Sequence, residues 1–223
     1  MAHREQGYRF ENDWNREELE EYLENIEAGV TIPVNVEIKA EQHVLSLDRV
    51  KHYLVKARKI SVMDCNCRLK RRNCDAPVNT CMDLNEIAER NIANGVAREV
   101  SLDEALDLLA KTHEAGLVHM AFIRADIPPE RGGINSVCSC CSCCCSVLSA
   151  YLRFGLAPHL LKSSTASVTD SSKCTSCGVC SDRCQFGARE IVNGVLSFKP
   201  DLCFGCGLCV STCPADAIKL VEK

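Results

Sequence analysis

The sequence predicts an α+β protein, an N-terminal α/β unit with cysteine-rich loops followed by a small module built on a cysteine repeat. Three observations carry this. Through residue 123 the apolar residues switch between a period of 3.6 and a period of 2, the signatures of amphipathic helices and half-buried strands. Eighteen cysteines fall in three blocks of four, six and eight, with none before Cys65 and none after Cys213. The last block repeats itself position for position from Cys174 to Cys203, a shift of 29 residues. The expected boundaries are 1–130 for the leading unit with the first block, 131–165 for a cysteine-rich run and linker helix, and 166–223 for the terminal module.

Taken in order, Leu19, Tyr22, Leu23 and Ile26 form an apolar helical stripe that Gly29 would close. Ile32, Val34, Val36 and Ile38 alternate as a strand, and Ser46 caps a helix carrying Val50, Leu54 and Ala57. Ile60 and Val62 lead as a strand into the first cysteines. Leu84 to Ala93 fits a helix closing near Gly95. Ser101-Leu102-Asp103-Glu104 is a capping box for a helix to about Glu114, ended by Gly116, and Leu117 to Ile123 is a further strand. In the terminal module, Ile191 to Leu196 is a hairpin on Asn193-Gly194. Ala166 to Thr169 and Ile218 to Val221 are short strands able to pair, and a short helix is expected after each fourth cysteine.

Composition excludes several classes. With 46% hydrophobic residues, 25% charged residues and a mean hydropathy of −0.07, the chain is an ordinary globular one and not a disordered one. No apolar run approaches the ~20 residues of a membrane span, and MAHREQGYRF lacks the pattern of an export signal. A cytoplasmic location follows as an expectation, and a net charge of −4 gives no global case for nucleic acid. In a reducing compartment, this many thiols read as metal ligands and not as disulfides.

Both halves of the third block read C-x2-C-x2-C-x3-C: Cys174, Cys177, Cys180, Cys184, then Cys203, Cys206, Cys209, Cys213. Thiolates three residues apart on a tight loop can reach three irons of one cubane, and Gly178 and Gly207 let the backbone wrap close. Zinc is the alternative for four thiolates, but ribbons pair separate C-x2-C knuckles. The stretch from about Val168 to Lys223 resembles the bacterial two-cluster [4Fe–4S] ferredoxins. That resemblance implies one cluster on Cys174, Cys177, Cys180 and Cys213 and another on Cys203, Cys206, Cys209 and Cys184. Gln185 departs from it, standing where the second repeat has Pro214.

The first block, Cys65, Cys67, Cys74 and Cys81, is a candidate four-thiolate set. The second packs Cys138, Cys140, Cys141, Cys143, Cys144 and Cys145 into eight residues, too many thiols for the four terminal positions of one cubane. If extended, the run would face Cys138, Cys140 and Cys144 one way and Cys141, Cys143 and Cys145 the other. It could bridge two clusters, hold one of unusual shape, or store metal. Lys51 to Arg72 carries eight cations against Asp64 alone, suited to a solvated face, to tuning a negative cluster or to docking a partner. The stretch CNCRLKRRNCDAPVNTCM, the later run and the terminal repeat together resemble a family of cytoplasmic multicluster iron–sulfur proteins of anaerobes. CNCR also resembles the C-P-C-R of ferredoxin–thioredoxin reductase, though Cys74 and Cys81 are single where that family has C-x-C pairs.

These resemblances imply two [4Fe–4S] clusters in the terminal module and one or two further iron–sulfur clusters of undetermined type. The expected role is single-electron relay between redox proteins: a ferredoxin, a flavoprotein or oxidoreductase subunits. Two other readings stay open, a reductase using the central cluster or its thiols, with His113 and His119 as the nearest proton donors, and a metal-storage or cluster-scaffold protein. No residue pattern identifies a catalytic group, since phosphate-loop, triad, flavin and nicotinamide fingerprints are lacking.

Overall fold

The computed structural model describes residues 11–32, 38–39, 44–45, 48–124, 134–156 and 160–223. Helix α1 (Arg16–Leu23) starts from a capping box in which Asn15 and Glu18 satisfy each other's backbone N–H. The chain then enters β1 (Ile26–Thr31), so Ile26 and Gly29 belong to a strand and not to the helix expected there. Gly29 has a packing reason instead: a Cβ at this position would lie 2.7 Å from the Phe122 ring. Of the next expected strand, Ile38 lies in β2 (Ile38–Lys39), while Val34, Val36 and the Ser46 cap lie outside the described residues.

After β3 (Val44–Leu45) come α2 (Asp48–Lys56) and β4 (Ile60–Asp64), as the periodicity predicts. The cysteine loops that follow contain structure that the pattern did not signal, α3 (Asn66–Arg71) and β5 (Asn79–Leu84). Helix α4 (Asn85–Ala93) and the short β6 (Arg98–Glu99) lead to α5 (Leu102–Glu114), which opens on the Ser101/Glu104 capping box. Strands β7 (Val118–Arg124) and β8 (Ser136–Cys140) precede α6 (Ser146–Ser149), which runs on as a π-helical turn over Ala150–Phe154. With β9 (Leu160–Leu161) these form a seven-stranded sheet of order β6-β4-β5-β8-β7-β1-β9.

The terminal module starts with β10 (Thr165–Thr169), continues through α7 (Val179–Asp182), β11 (Arg189–Val192), β12 (Val195–Phe198) and α8 (Leu208–Ser211), and ends with β13 (Ile218–Glu222). β10 and β13 pair antiparallel, and β2 extends that small sheet by pairing parallel to β13 at Ile38 and Leu220. The β11–β12 hairpin turns on Asn193 (φ 51°) and Gly194 (φ 78°), as its Asn-Gly pair requires. Helices α7 and α8 lie before the fourth cysteines Cys184 and Cys213, not after them as expected, because the αL residues Gly178 and Gly207 start a turn right after the second cysteine.

Among the described residues two large apolar cores result, beside a small cluster of Leu117, Cys141 and Cys144. One joins the sheet to α2 and α5 through Leu54, Val62, Met82, Leu109 and Val137. The other joins Trp14, Leu19, Met120 and Leu148 to Phe186, Phe204 and Leu208 of the terminal module. Phe186 stacks on Phe204 at 4.2 Å and Tyr151 meets Phe204 edge-on. No helix among the described residues is long and apolar enough to cross a membrane.

Candidate metal centres

The terminal module brings its eight thiols into two pockets. Cys174, Cys177, Cys180 and Cys213 line one with Ser176, Gly178 and Pro214. Cys203, Cys206, Cys209 and Cys184 line the other with Ser167, Gly205 and Gly207. Each pocket therefore takes three thiols from one repeat and one from the other. In both pockets the cysteines are the only acidic, histidine or thiol side chains on the wall, a donor set that fits a thiolate-bound iron–sulfur group. Positive φ angles at Ser176 and Gly178, matched by Gly205 and Gly207, curl each loop around its pocket. At Gly205 the fit is tightest, since a Cβ would lie 2.2 Å from the Thr165 carbonyl oxygen. The Ala217 N–H donates to Cys213 Sγ at 3.3 Å.

Sequence reasoning missed Arg189, which is 1% exposed. Its guanidinium donates to Thr169 Oγ1 (2.8 Å) and Ser167 Oγ (2.9 Å) and lies over the Phe198 ring. Burial raises the Cys180 and Cys209 thiols, and the Arg189 charge pulls both the other way. The signal was available: the repeat places Ile218 at the counterpart position, so a cation there breaks an apolar register. Gln185 also acquires a role. Its amide donates to the Gly116 carbonyl (3.0 Å) and accepts from the Ser142 N–H (3.1 Å), tying this turn to the central run.

The ten remaining thiols do not divide by block. Strand pairing sets Cys81 of β5 beside β8, where Cys138 and Cys140 share a face, and the start of α3 adds Cys65 and Cys67. After Cys140 the chain leaves the strand for a turn over residues 142–144, so the alternation expected for an extended run fails. The turn brings the Cys145 sulfur to Cys140 and the Cys144 sulfur to Cys74. By sulfur neighbours the run divides three and three, with Cys144 and Cys145 exchanged relative to the expected alternation, and Cys141 and Cys144 border the cavity of the first group as well.

Cys65, Cys67, Cys81, Cys138, Cys140 and Cys145 face a cavity of about 410 Å³, whose wall also includes Cys141, Cys144, Tyr22, Asp83 and Asn91. Their sulfurs perturb one another in a continuous series, Cys67 to Cys65 to Cys81 to Cys138 to Cys140 to Cys145. Neighbouring sulfurs and burial push Cys67, Cys81 and Cys140 well above the ordinary thiol range, so a bound cation is what would make them thiolates. Ser146 Oγ lies 3.4 Å from Cys67 Sγ, and the Tyr22 hydroxyl 3.9 Å from it.

Cys74 leaves the first-block set and joins Cys141, Cys143 and Cys144, all four sulfurs lying within 4.8 Å of one another. Arg68 stands between the two groups. It is 2% exposed, donates to the Ser139 carbonyl (2.9 Å), Thr80 Oγ1 (3.1 Å) and the Pro77 carbonyl, and lies 3.8 Å from Cys141 Sγ. Burial opposes its charge, and the sulfurs of Cys141, Cys65 and Cys140 outweigh burial, so the guanidinium is held firmly protonated. Trp14 donates through Nε1 to the Cys144 carbonyl (2.7 Å) and lies under Arg71, whose guanidinium is 3.9 Å from the ring centroid. Asn73 donates to the Cys143 carbonyl (3.0 Å).

His113 and His119 are buried and stacked, 5.8 Å between ring centroids. His113 Nε2 pairs with Ser211 Oγ (2.7 Å) and His119 Nδ1 with Ser139 Oγ (3.2 Å). Burial depresses both, to about 4 for His113, with Arg183 adding to it, and to about 3 for His119, with His113 adding to it. Neither is among the residues lining the thiol cavity.

Residues 167–190 and 196–219 match the family described as a 4Fe-4S binding domain. Over 57 residues, 25% of this chain, the sequence is 37% identical to pyruvate synthase subunit PorD of Methanocaldococcus jannaschii, a match covering 66% of that subunit and so just under two thirds of its length. The C-terminal module is a ferredoxin-type 4Fe-4S domain.

Proposed function

We propose that the chain is a multicluster electron-transfer protein of an anaerobic cytoplasm, serving as a subunit or dedicated partner of a larger redox complex. The observation that carries this is the link between the two cysteine-bearing regions: the turn after Cys184 in the 4Fe-4S domain is hydrogen-bonded through Gln185 to Ser142 of the run bearing six more cysteines. In this reading Cys174, Cys177, Cys180 and Cys213 hold one [4Fe–4S] cluster, and Cys203, Cys206, Cys209 and Cys184 hold the other. The six-thiol cavity holds a third iron–sulfur group. Bound clusters would supply reversible one-electron chemistry. The chain's own residues fix their spacing and bias their potentials through burial, N–H···S hydrogen bonds and nearby charge. Arg68 and Arg189, each beside thiols, favour the more negative reduced state. The likeness to a pyruvate synthase subunit supports redox proteins as partners.

A second reading has one specific support. Six thiols exceed the four that a cubane takes, and Asn91 and Asp83 line the same cavity, so a substrate could be reduced there. Anaerobic iron and sulfide analysis with EPR of the reduced protein tests the first reading. More than eight irons per chain, with a third reducible centre lost in Cys81→Ala and Cys140→Ala variants, is the expected result. Eight irons and no third signal would defeat it.

A further inference from the structure

We propose that Cys74, Cys141, Cys143 and Cys144 hold a single zinc ion in tetrahedral four-thiolate coordination, separate from the iron–sulfur groups. The spacing of the sulfurs fits a single ion. Cys74 Sγ lies 3.8 Å from both Cys141 Sγ and Cys144 Sγ, and Cys144 Sγ lies 3.8 Å from Cys143 Sγ. A Zn–S bond of about 2.3 Å in a tetrahedron sets its sulfurs about 3.8 Å apart. A cubane places a cage of irons and sulfides between its ligands and holds the thiolates further out. The chain supplies its own comparison: among the described residues this quartet alone draws its ligand atoms within 4.8 Å of one another, and neither quartet of the 4Fe-4S domain closes so far.

The donor chemistry agrees. Four soft thiolates in a tetrahedron select zinc or an iron–sulfur group, and the close spacing leaves room for one ion. With all four positions filled by protein the site is closed, which is the arrangement of a structural zinc and not of a catalytic one. Four thiolates on a divalent ion leave two negative charges in a half-buried place. The Arg68 guanidinium, 3.8 Å from Cys141 Sγ, is positioned to offset them.

The location gives the ion a purpose. The turn over residues 142–144 returns Cys145 to the cavity, and three of the four ligands lie on it or just before it, at Cys141, Cys143 and Cys144. The same turn meets Gln185 through the Ser142 N–H and Trp14 through the Cys144 carbonyl. An ion here would pin the turn between the N-terminal segment, the cavity and the 4Fe-4S domain.

The test uses full-length protein purified anaerobically, analysed for zinc, iron and sulfide and by zinc-edge X-ray absorption. One zinc per chain with a shell of four sulfurs is expected, and a Cys74→Ser variant should lose that zinc while keeping its iron and sulfide. If the variant does not fold, the absorption spectrum of the unaltered protein decides. Wild-type protein without zinc, a zinc shell containing nitrogen or oxygen, or loss of iron in Cys74→Ser would overturn the proposal. Failure of the electron-transfer reading has a different signature, missing iron and sulfide with zinc in place.

Discussion

Arg189 stands where the repeat puts an apolar side chain, and it faces thiols from both quartets of the 4Fe-4S domain. Replacing it with Met keeps the volume and removes the charge. Reduction adds negative charge to a cluster, so the loss should lower its potential, by on the order of 50 mV for a nearby partly screened charge. Protein-film voltammetry of Arg189→Met reads this directly, and potentials unchanged at both centres would show that the charge is not felt there. A second single-residue case is His119. Its folded pKa, about 3, lies below the ordinary histidine value of 6.5, so the unfolded chain binds more protons between them. Stability tied to neutral His119 is complete above about pH 6.5 and drains away as pH falls toward 3. His119→Gln should flatten that acid limb in denaturant titrations relative to the unaltered protein, and an identical slope would remove the group from the account. These residues also mark what sequence can carry. The repeat register exposes Arg189 to anyone who aligns the halves, whereas the exchange of Cys144 and Cys145 depends on a turn whose only local hint is a run of small residues.

At the scale of elements, the capped α5, the α4 stripe, β4, β7 and the Asn-Gly hairpin were legible because each has a local cause. Ile26 and Gly29 misled because the helical stripe continues past Leu23 by coincidence, while the chain is captured by β7 and its Phe122 ring. Helix α3 and strand β5 are not legible, since their residues carry the spacing of a metal-ligand loop and the strands that pair with β5 are not adjacent to it in the chain. The contact of α1 with α3 is a further case, set by charge. Glu18 accepts from Arg71 (2.7 Å), Lys70 (2.9 Å) and the Asn15 N–H (3.1 Å). Partial burial raises its carboxyl, but these donors outweigh burial and hold it at about 2. The unfolded carboxylate titrates higher, near 4.5, so this contribution is present above that value and is lost as pH falls from about 4.5 to 2. Glu18→Gln should cost about 1 kcal/mol at neutral pH, discounted for exposure, and should weaken the strap that carries Trp14 over Cys144. Trp14 is the chain's one tryptophan, so its fluorescence reports the loosening. Unchanged emission and stability would assign the hold on Trp14 to its other contacts, the cations of Lys70 and Arg71 over its ring, Arg71 on the Asp13 carbonyl and the Asn12 amide on α3.

Across the whole molecule, the 4Fe-4S domain is joined to the rest by main-chain and side-chain contacts that no motif announces. Thr31 donates through Oγ1 to the Phe204 carbonyl (2.8 Å), Arg183 donates to the His113 (2.5 Å) and Glu114 (2.6 Å) carbonyls, and β2 pairs with β13. Gln185 follows Cys184 and meets Ser142 between Cys141 and Cys143, and it is also the position at which the first repeat departs from the second. Proline at 185 would restore the pattern of Pro214 and keep the turn's geometry, while removing both the donor to Gly116 and the acceptor for Ser142. Two hydrogen bonds worth about 1 kcal/mol each are at stake, one of them leaving the half-buried Ser142 N–H without its partner. Gln185→Pro in the full chain should therefore retain the iron and sulfide of the 4Fe-4S domain and melt a few degrees lower. On the electron-relay reading its effect on function should be larger than that stability loss, because the link would lie between electron-carrying groups whose exchange depends on fixed separation. Rapid-mixing reduction followed by freeze-quench EPR should then find the domain's clusters reduced at the usual rate and the proposed third centre filled more slowly. Equal rates in variant and parent would mean that the shared core of Phe186, Phe204 and Leu208 holds the separation without Gln185, and that the departure from the repeat serves the turn at Gly116 alone.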